Sequence, residues 1–209
     1  MSTTLFHRKP FIQWAVATRA LPGQSVSGDL HCMQPFPTGA LAAVVDGLGH
    51  GDEATAAART AVAILEANAD QSVITLVKRC HEALVKTRGA VMTVASLNVL
   101  DGTLSWIGVG NVEGLLLRAD AKVTPRSEHT LLRGGVVGYQ LPALHAGVVP
   151  VAPGDLLILA SDGIRNGFEP GVALTDPPQQ IDDRIMNQHF KGTDDALVLV
   201  LRFLGARHE

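Results

Sequence analysis

Apolar residues in this chain either alternate with polar ones or run together in short stretches, and both patterns are typical of β-strands. Residues 11–18 show the alternation, with Ile12, Trp14 and Val16 on one face. Residues 40–45 (ALAAVV) show the unbroken form, which is typical of a fully buried strand. Strands are predicted at 11–18, 30–34, 40–45, 91–100, 103–109, 112–118, 154–163 and 196–203.

Two long segments and one short segment predict helices. The first helix starts after Gly51, carries acidic residues in its opening turn, and continues through an alanine-rich stretch to about residue 68. The second starts at Ser72, a residue type that caps helix N-termini, and ends with a basic turn followed by Gly89. A shorter helix is predicted over 178–190.

The order of these elements indicates the fold class. Asp101-Gly102 predicts a hairpin with a two-residue turn, and Gly110-Asn111 then leads into a third strand of the same meander. Strands come in runs and the long helices in a block, which differs from a repeating strand–helix–strand pattern. We therefore expect an α+β fold in which mainly antiparallel sheets pack on each other and the two long helices cover one outer face. No linker or repeat is visible, so residues 1–209 are interpreted as a single domain.

Composition narrows the classes of protein to which this chain can belong. Hydrophobic residues make up 46% of its 209 residues and charged residues 18%, which is typical of a globular chain. The formal net charge of −3 gives no reason to expect nucleic acid or an anionic membrane as a partner. The sequence has no apolar run of signal-peptide or membrane-spanning character, and Cys32 and Cys80 have no metal-ligand spacing. We therefore expect a soluble, cytoplasmic protein with two free thiols.

Four aspartates share a placement at the ends of predicted strands. Asp46 and Asp162 each end an apolar strand and are each followed at once by glycine. Asp194 stands just before the last apolar strand, and Asp29 precedes another after a Ser-Gly turn. If these strands are neighbours, their ends bring at least four carboxylates to one rim of the sheets.

Clustered carboxylates repel one another, by about a kilocalorie per mole or more for each close pair at intermediate dielectric, unless a cation compensates them. A set of oxygen ligands without cysteine or histidine favours hard metals, Mg²⁺ or Mn²⁺, over zinc. A glycine after the aspartate, such as Gly47, leaves its backbone carbonyl accessible to an ion. The sequence therefore predicts a divalent-metal site at this rim.

Other interpretations of the same segments are weaker. GLGHG (47–51) follows a strand and opens a helix, as a phosphate loop would, but its glycine spacing is one residue short and Asp46 would repel a pyrophosphate. Cys80 falls on the apolar face of a predicted helix, where core packing explains it. His50 is the one histidine beside the acidic positions, and both simple exposure and a role in proton transfer stay open for it.

Four segments carry a resemblance to a known family: SGD (27–29), VVDGLGHG (44–51), LILASDGI (157–164) and GTDDALVLV (192–200). Their order and spacing resemble those of the SpoIIE-like branch of the type 2C metal-dependent (PPM) serine/threonine protein phosphatases. The resemblance extends over nearly the whole chain, and its small size is similar to that of the stressosome phosphatases of this branch.

The resemblance implies an α-β-β-α four-layer sandwich of two mainly antiparallel sheets flanked by helices, with two ions, Mn²⁺ or Mg²⁺, between the sheet edges. Asp46 would bridge the two ions, and His50 is the candidate general acid, although it lies further from the Asp-Gly pair than the family's histidine. The resemblance leaves open which of the two adjacent aspartates at 194–195 is the direct ligand. The positions that the motifs assign to the metal site are Asp29, Asp46, Gly47, Asp162, Asp194 and Asp195.

The activity implied by the resemblance is hydrolysis of phosphoserine or phosphothreonine by a metal-activated water, without a covalent enzyme intermediate. The implied partners are phosphorylated STAS-domain scaffold proteins of a stressosome, and the implied role is negative control of a stress-response pathway. A non-catalytic phosphatase-fold module that binds a signalling partner is the main alternative, and a hydrolase of small phosphoesters is another. The four aspartates argue against the module, because a protein that only binds a partner does not need all of them.

Overall fold

A computed structural model of the protein describes residues 11–205. The strands are β1 (Ile12–Arg19), β2 (Asp29–Phe36), β3 (Gly39–Gly47), β4 (Ala90–Asn98), β5 (Thr103–Val109), β6 (Glu113–Leu117), β7 (Ser127–His129), β8 (Leu132–Arg133), β9 (Gly147–Pro150), β10 (Leu156–Ala160) and β11 (Ala196–Phe203). The helices are α1 (Asp52–Ala67), α2 (Val73–Leu84) and α3 (Pro178–His189), with a short 3-10 helix at Glu169–Gly171. The eight predicted strands and three predicted helices are confirmed, and β7, β8 and β9 are additional.

The strands form two sheets. Sheet A has the order β1-β11-β10-β6-β7, and sheet B has the order β2-β3-β4-β5-β8, with β9 pairing another part of β5. Neighbouring strands are antiparallel except β5 and β8, which pair in parallel over two residues. The expectation of mainly antiparallel sheets is confirmed.

Three apolar cores show how the layers stack. α1 and α2 bury their apolar faces against the outside of sheet B. The inner faces of the two sheets meet in a second core, to which Trp106 and Leu199 contribute. α3 covers the outside of sheet A, where Ile181 and Ile185 share a third core with Val200. The layers therefore run helix, sheet, sheet, helix, which confirms the α+β four-layer sandwich.

The two long helices begin where the sequence predicts, but the second ends earlier. The Ser72 Oγ accepts a hydrogen bond from the Thr75 backbone N–H (3.2 Å), which caps the N-terminus of α2. α2 ends at Leu84, so the predicted end at Gly89 is wrong; Gly89 has a φ of +82° and leads into β4. No helix between residues 11 and 205 is long and apolar enough to cross a membrane.

The predicted three-strand meander is also wrong. β6 does not pair with β5 but with β10 and β7, in the other sheet. Gly110, which has a φ of +99°, lies in the turn that takes the chain from sheet B to sheet A. The β4–β5 hairpin closes on the pair Asn98 and Thr103, so four residues rather than two form its turn. Alternation of apolar residues predicts strands but does not say which sheet a strand joins.

Candidate metal centre

Sheet B places two carboxylates side by side. Asp29 is the first residue of β2, and Asp46 is the last residue but one of β3. Because the two strands are antiparallel neighbours, Asp29 and Asp46 are directly paired in the register. Asp46, at the end of its apolar strand, and Asp29, after its Ser-Gly turn, therefore lie at the same edge of sheet B.

Sheet A brings two more carboxylates to that edge. Asp162 follows the end of β10 by two residues, and Asp194 precedes the start of β11 by two. β10 and β11 are antiparallel neighbours, so the end of one strand lies beside the beginning of the other. The hydroxyl of Ser161 donates to Asp29 Oδ2 (2.6 Å) and joins the two sheets at this point.

A cavity of about 530 Å³ opens between the sheet edges. Three of the predicted carboxylates, Asp46, Asp162 and Asp194, line it together with His50, which is exposed. Asp29 is buried, 3% exposed, and lies behind Asp46 rather than on the cavity wall. The other residues that line the cavity are Leu21, Leu48, Gly49, Val91, Gly110, Asn111, Gly134 and Thr193.

Asp195 has a different environment from Asp194. Its Oδ1 accepts a hydrogen bond from the Leu21 N–H and its Oδ2 accepts one from the Gly28 N–H, both at 2.7 Å. These bonds hold the loop that leads from β1 into β2. The side chain of Asp194 lines the cavity and its Oδ1 accepts from the Asp195 N–H (2.9 Å). Of the two adjacent aspartates, Asp194 has the position of an ion ligand and Asp195 that of a loop support.

The glycines after Asp46 and Asp162 have a packing role that the sequence did not reveal. A Cβ atom on Gly47 would lie 2.1 Å from the carbonyl oxygen of Ala54, in the first turns of α1. A Cβ atom on Gly163 would lie 1.9 Å from the carbonyl oxygen of Asp195. Each glycine therefore lets another segment of chain pack closely against the backbone just after the aspartate.

The carboxylates lack compensation for their charge. Burial raises the pKa of Asp46 above its ordinary value, and the nearby carboxylates, Asp29 first, raise it further. Burial is also the main cause of the raised pKa of Asp29. The pKa of Asp162 is raised by burial and by Asp194, and the ammonium group of Lys191 acts in the opposite direction. A group of buried carboxylates of this kind is stabilised by protons or by cations.

The donor set fits a hard divalent cation, although no closed ligand shell is present. Among residues 11–205, no three aspartate, glutamate, histidine or cysteine side chains stand close enough to hold an ion between them. Mg²⁺ takes oxygen ligands and retains several of its waters, binding through one or two carboxylates. Carboxylates spaced around a wide cavity match an ion that is held partly through water.

Two polar residues that the sequence did not single out hold these carboxylates in place. The Asn111 Nδ2 donates to Asp162 Oδ2 (2.7 Å), and Asn111 lines the same cavity. The Ser161 Oγ that donates to Asp29 also accepts from the Leu197 N–H (2.8 Å). These pairs join residues 51 and 132 positions apart, so no local pattern could have revealed them.

Comparison with known proteins gives a family match and one curated relative. The model of the family described as Stage II sporulation protein E (SpoIIE) matches residues 37–204. The phosphoserine phosphatase RsbX of Bacillus subtilis (strain 168) is 30% identical over 94 residues, which cover 45% of this chain and 47% of RsbX. The aligned stretch thus spans about half the length of this relative.

Solved structures agree with the fold. A chain from a structure described as the bacterial stressosome, a modular system adapted to control secondary messenger signalling, superposes with a TM-score of 0.83 at 28% identity and covers 91% of this chain and 99% of its own length. RsbX in complex with magnesium has a TM-score of 0.82 at 20% identity, covering 93% of this chain and 96% of RsbX. The PP2C phosphatase domain of SpoIIE from Bacillus subtilis, with a fragment of its regulatory domain, has a TM-score of 0.74 at 22% identity, covering 94% and 64%.

Proposed function

The chain belongs to the SpoIIE family, and on that premise we propose that it is a divalent-metal-dependent protein phosphatase that acts on phosphoserine or phosphothreonine. The observation that carries the proposal is the cavity between the sheet edges, which Asp46, Asp162 and Asp194 line together and where burial and neighbouring carboxylates raise the pKa of Asp46 and of Asp162. The carboxylates would repel a phosphoryl group that enters the cavity, unless cations bound there had first made the charge of the cavity positive. The arrangement therefore supports a metal-dependent reaction of an anionic substrate.

The site residues divide into those that would contact ions and those that would support them. Asp46 and the carbonyl of Gly47 would hold two ions, and Asp162 and Asp194, which line the same cavity as Asp46, would complete the site. Asp29 uses Oδ2 for Ser161 and retains Oδ1 for an ion. Both carboxylate oxygens of Asp195 already accept backbone N–H groups, so its role is to fix the loop that includes Gly28.

Mn²⁺ or Mg²⁺ bound there would supply a water of lowered pKa and would neutralise charge on the phosphoryl oxygens. The chain's own residues would orient the carboxylates and supply protons. Asn111 holds Asp162 in one orientation through its 2.7 Å hydrogen bond. His50 lines the cavity and is exposed, so it can exchange protons with solvent and protonate the departing serine or threonine oxygen.

The proposed substrates are phosphorylated STAS-domain scaffold proteins of a stressosome in the cytoplasm, with the phosphatase as a negative regulator of the stress response. Support comes from two similar proteins: one is the phosphoserine phosphatase RsbX, and the other comes from a bacterial stressosome structure. Fold likeness alone does not specify a substrate. The substrate therefore has to be tested separately from the chemistry.

The chemistry is tested by phosphate release from p-nitrophenyl phosphate with and without Mn²⁺. We expect Mn²⁺-dependent hydrolysis that falls by at least about a hundredfold in Asp46→Asn, because the bridging carboxylate is lost. Asp101→Asn is a matched control, since Asp101 is also followed by glycine but lies in the β4–β5 hairpin at the other end of sheet B. Hydrolysis that is independent of metal, or equal in the two variants, would contradict the proposal.

One observation favours the alternative, a non-catalytic interaction module. The carboxylates do not form a closed ligand group among the described residues. If that arrangement is final, the protein would bind a phosphorylated partner without releasing phosphate. Absence of hydrolysis with either Mn²⁺ or Mg²⁺, together with measurable binding of a phosphorylated STAS-domain protein, would favour the module.

A further inference from the structure

Two large apolar side chains are exposed together beside the cavity. Tyr139, in the loop after β8, is 82% exposed, and Val85, at the C-terminal end of α2, is 60% exposed. Their neighbours bring them together: a Cβ atom on Gly138 would lie 2.7 Å from the Cβ of Leu84. We refer to Tyr139 and Val85 as the apolar patch.

The patch is held by ordered contacts. The Gly138 N–H donates to Nδ1 of His81, in the last turn of α2, at 2.9 Å. Gly138 has a φ of +102°, a conformation that favours glycine, so the loop can turn directly over the helix end. Val136 and Gln140 close the tip of the loop through a backbone hydrogen bond of 2.8 Å. Tyr139 is therefore displayed on a fixed turn rather than on a free loop.

The patch is connected to the cavity wall through paired backbone segments. Val137 and Ala90 exchange two backbone hydrogen bonds of 2.8 and 2.9 Å. Ala90 in turn pairs with Gly47, beside Asp46. Two strand spacings, about 10 Å in all, therefore separate Val137 from Gly47, and Tyr139 lies in the turn that follows Val137.

Basic side chains lie near the patch, and one of them reaches the cavity wall. Lys86 follows Val85, Arg88 comes two residues later, and both are exposed. The Arg88 guanidinium lies beside Gly49, a residue of the cavity wall, and forms an ion pair with Glu53. A protein that carries a phosphate into the cavity from this side would pass the guanidinium of Arg88, which attracts a phosphate.

We propose that Tyr139 and Val85 form the docking surface for the phosphorylated protein substrate, and that they contact an apolar side chain of that protein outside the cavity. This inference rests on the proposed function and specifies how its protein substrate is chosen. Exposed aromatic residues at interfaces are frequent sites of strong binding, because they bury a large area at little cost in side-chain entropy. A small phosphoester is too short to reach the patch and does not use it.

The test compares two substrates in Tyr139→Ser and Val85→Ser. The substrates are a STAS-domain protein phosphorylated by its kinase, and p-nitrophenyl phosphate. We expect kcat/KM for the phosphoprotein to fall by about tenfold or more in Tyr139→Ser and less in Val85→Ser. The rate on p-nitrophenyl phosphate should stay within about twofold of the wild type, since neither residue lines the cavity.

Leu100→Ser is the matched control. Leu100 is 73% exposed but lies in the β4–β5 turn, at the end of sheet B opposite the cavity, so both rates should be unchanged. Equal phosphoprotein rates in Tyr139→Ser and wild type would overturn the docking surface and leave the phosphatase chemistry intact. A wild-type protein that hydrolyses only p-nitrophenyl phosphate would overturn both the docking surface and the protein substrate. If the wild type hydrolyses neither substrate, the proposed phosphatase function itself is overturned.

Discussion

Two groups of charged side chains are buried in this protein, and they are balanced in opposite ways. Arg118, which directly follows β6, is buried with Asp155 at 3.1 Å, and it also pairs with Glu128. At the sheet edges, Asp29 and Asp46 lie together, and within residues 11–205 no basic side chain forms an ion pair with either. The charges of the first group neutralise one another, whereas those of the second group have no such partner in the described part of the chain.

The difference between the two groups separates a structural role from a functional one. Asp155 accepts from Arg118 and from the backbone N–H groups of Ala119 and Ala152, so its charge is satisfied within the protein. Burial with like charges instead raises the pKa of Asp46. A neutral residue in place of such a carboxylate would make the folded protein more stable, so the carboxylate is useful only if a ligand requires it. The unbalanced group is therefore the proposed cation site.

The largest expected change in stability comes from breaking the group in which Arg118 pairs with Asp155 and Glu128. Arg118→Ala leaves Asp155 buried without its partner and should lower the free energy of unfolding by about 3–5 kcal/mol. Urea unfolding measures this change. Arg126→Ala is the control, because Arg126 is exposed and should change stability by less than about 0.5 kcal/mol. Equal effects of the two substitutions would show that the Arg118 pairs contribute little.

Asp182, another buried carboxylate, is expected to make the stability of the protein depend on pH. Asp182 in α3 is fully buried, its Oδ2 has no hydrogen-bond partner among the described residues, and burial raises its pKa to about 6. Because the pKa in the folded state is raised, this group destabilises the protein above pH 6, and the penalty disappears as the pH falls towards 4.

Asp182→Asn should therefore be more stable than the wild type at pH 7–8 by about 1–3 kcal/mol. The difference should shrink as the pH is lowered from 6 to 4. Paired urea titrations across this range measure it. A difference that is independent of pH would mean that Asp182 does not titrate in that window.

Adding metal should stabilise the folded protein through the carboxylates at the sheet edges. At a concentration a hundred times its dissociation constant, Mn²⁺ should raise the free energy of unfolding of the wild type by about 2.7 kcal/mol relative to EDTA. In EDTA, Asp46→Asn should be more stable than the wild type by about 1–2 kcal/mol, because one like charge is removed. In Mn²⁺ that order should reverse. Melting curves of both proteins under both conditions give the answer, and an unchanged order would argue against binding at Asp46.

The smallest expected effect concerns the support of one ligand. Asn111→Ala should weaken Mn²⁺ binding by about tenfold, since Asp162 loses the hydrogen bond that orients it. Calorimetric titration with Mn²⁺ measures the affinity. Asn98→Ala is the matched control, because Asn98 donates to Asp101 at 2.8 Å in the same kind of pair, far from the cavity. If the two variants bind Mn²⁺ with equal affinity, Asn111 does not support the metal site.

Local patterns predicted most elements but not how they connect in space. The apolar runs predicted β3 and β11 with nearly their observed bounds, since burial on both faces requires continuous apolar sequence. The strand predicted at 154–163 is longer than the observed β10, which covers Leu156–Ala160. The Gly110-Asn111 turn suggested a meander that continued into β6, which instead crosses to the other sheet. Both arrangements bury the apolar residues of β6, so periodicity could not distinguish them.

The fold class, the family and the four strand-end aspartates can be predicted without coordinates, because strand patterns and motifs are local properties of the chain. The three-dimensional arrangement is needed to see that Asp194 lines the cavity while Asp195 holds the loop before β2, and that Asn111 and Ser161 orient carboxylates far away in sequence. A carboxylate is oriented by its hydrogen-bond donors, and here those donors come from the other sheet or from a distant loop.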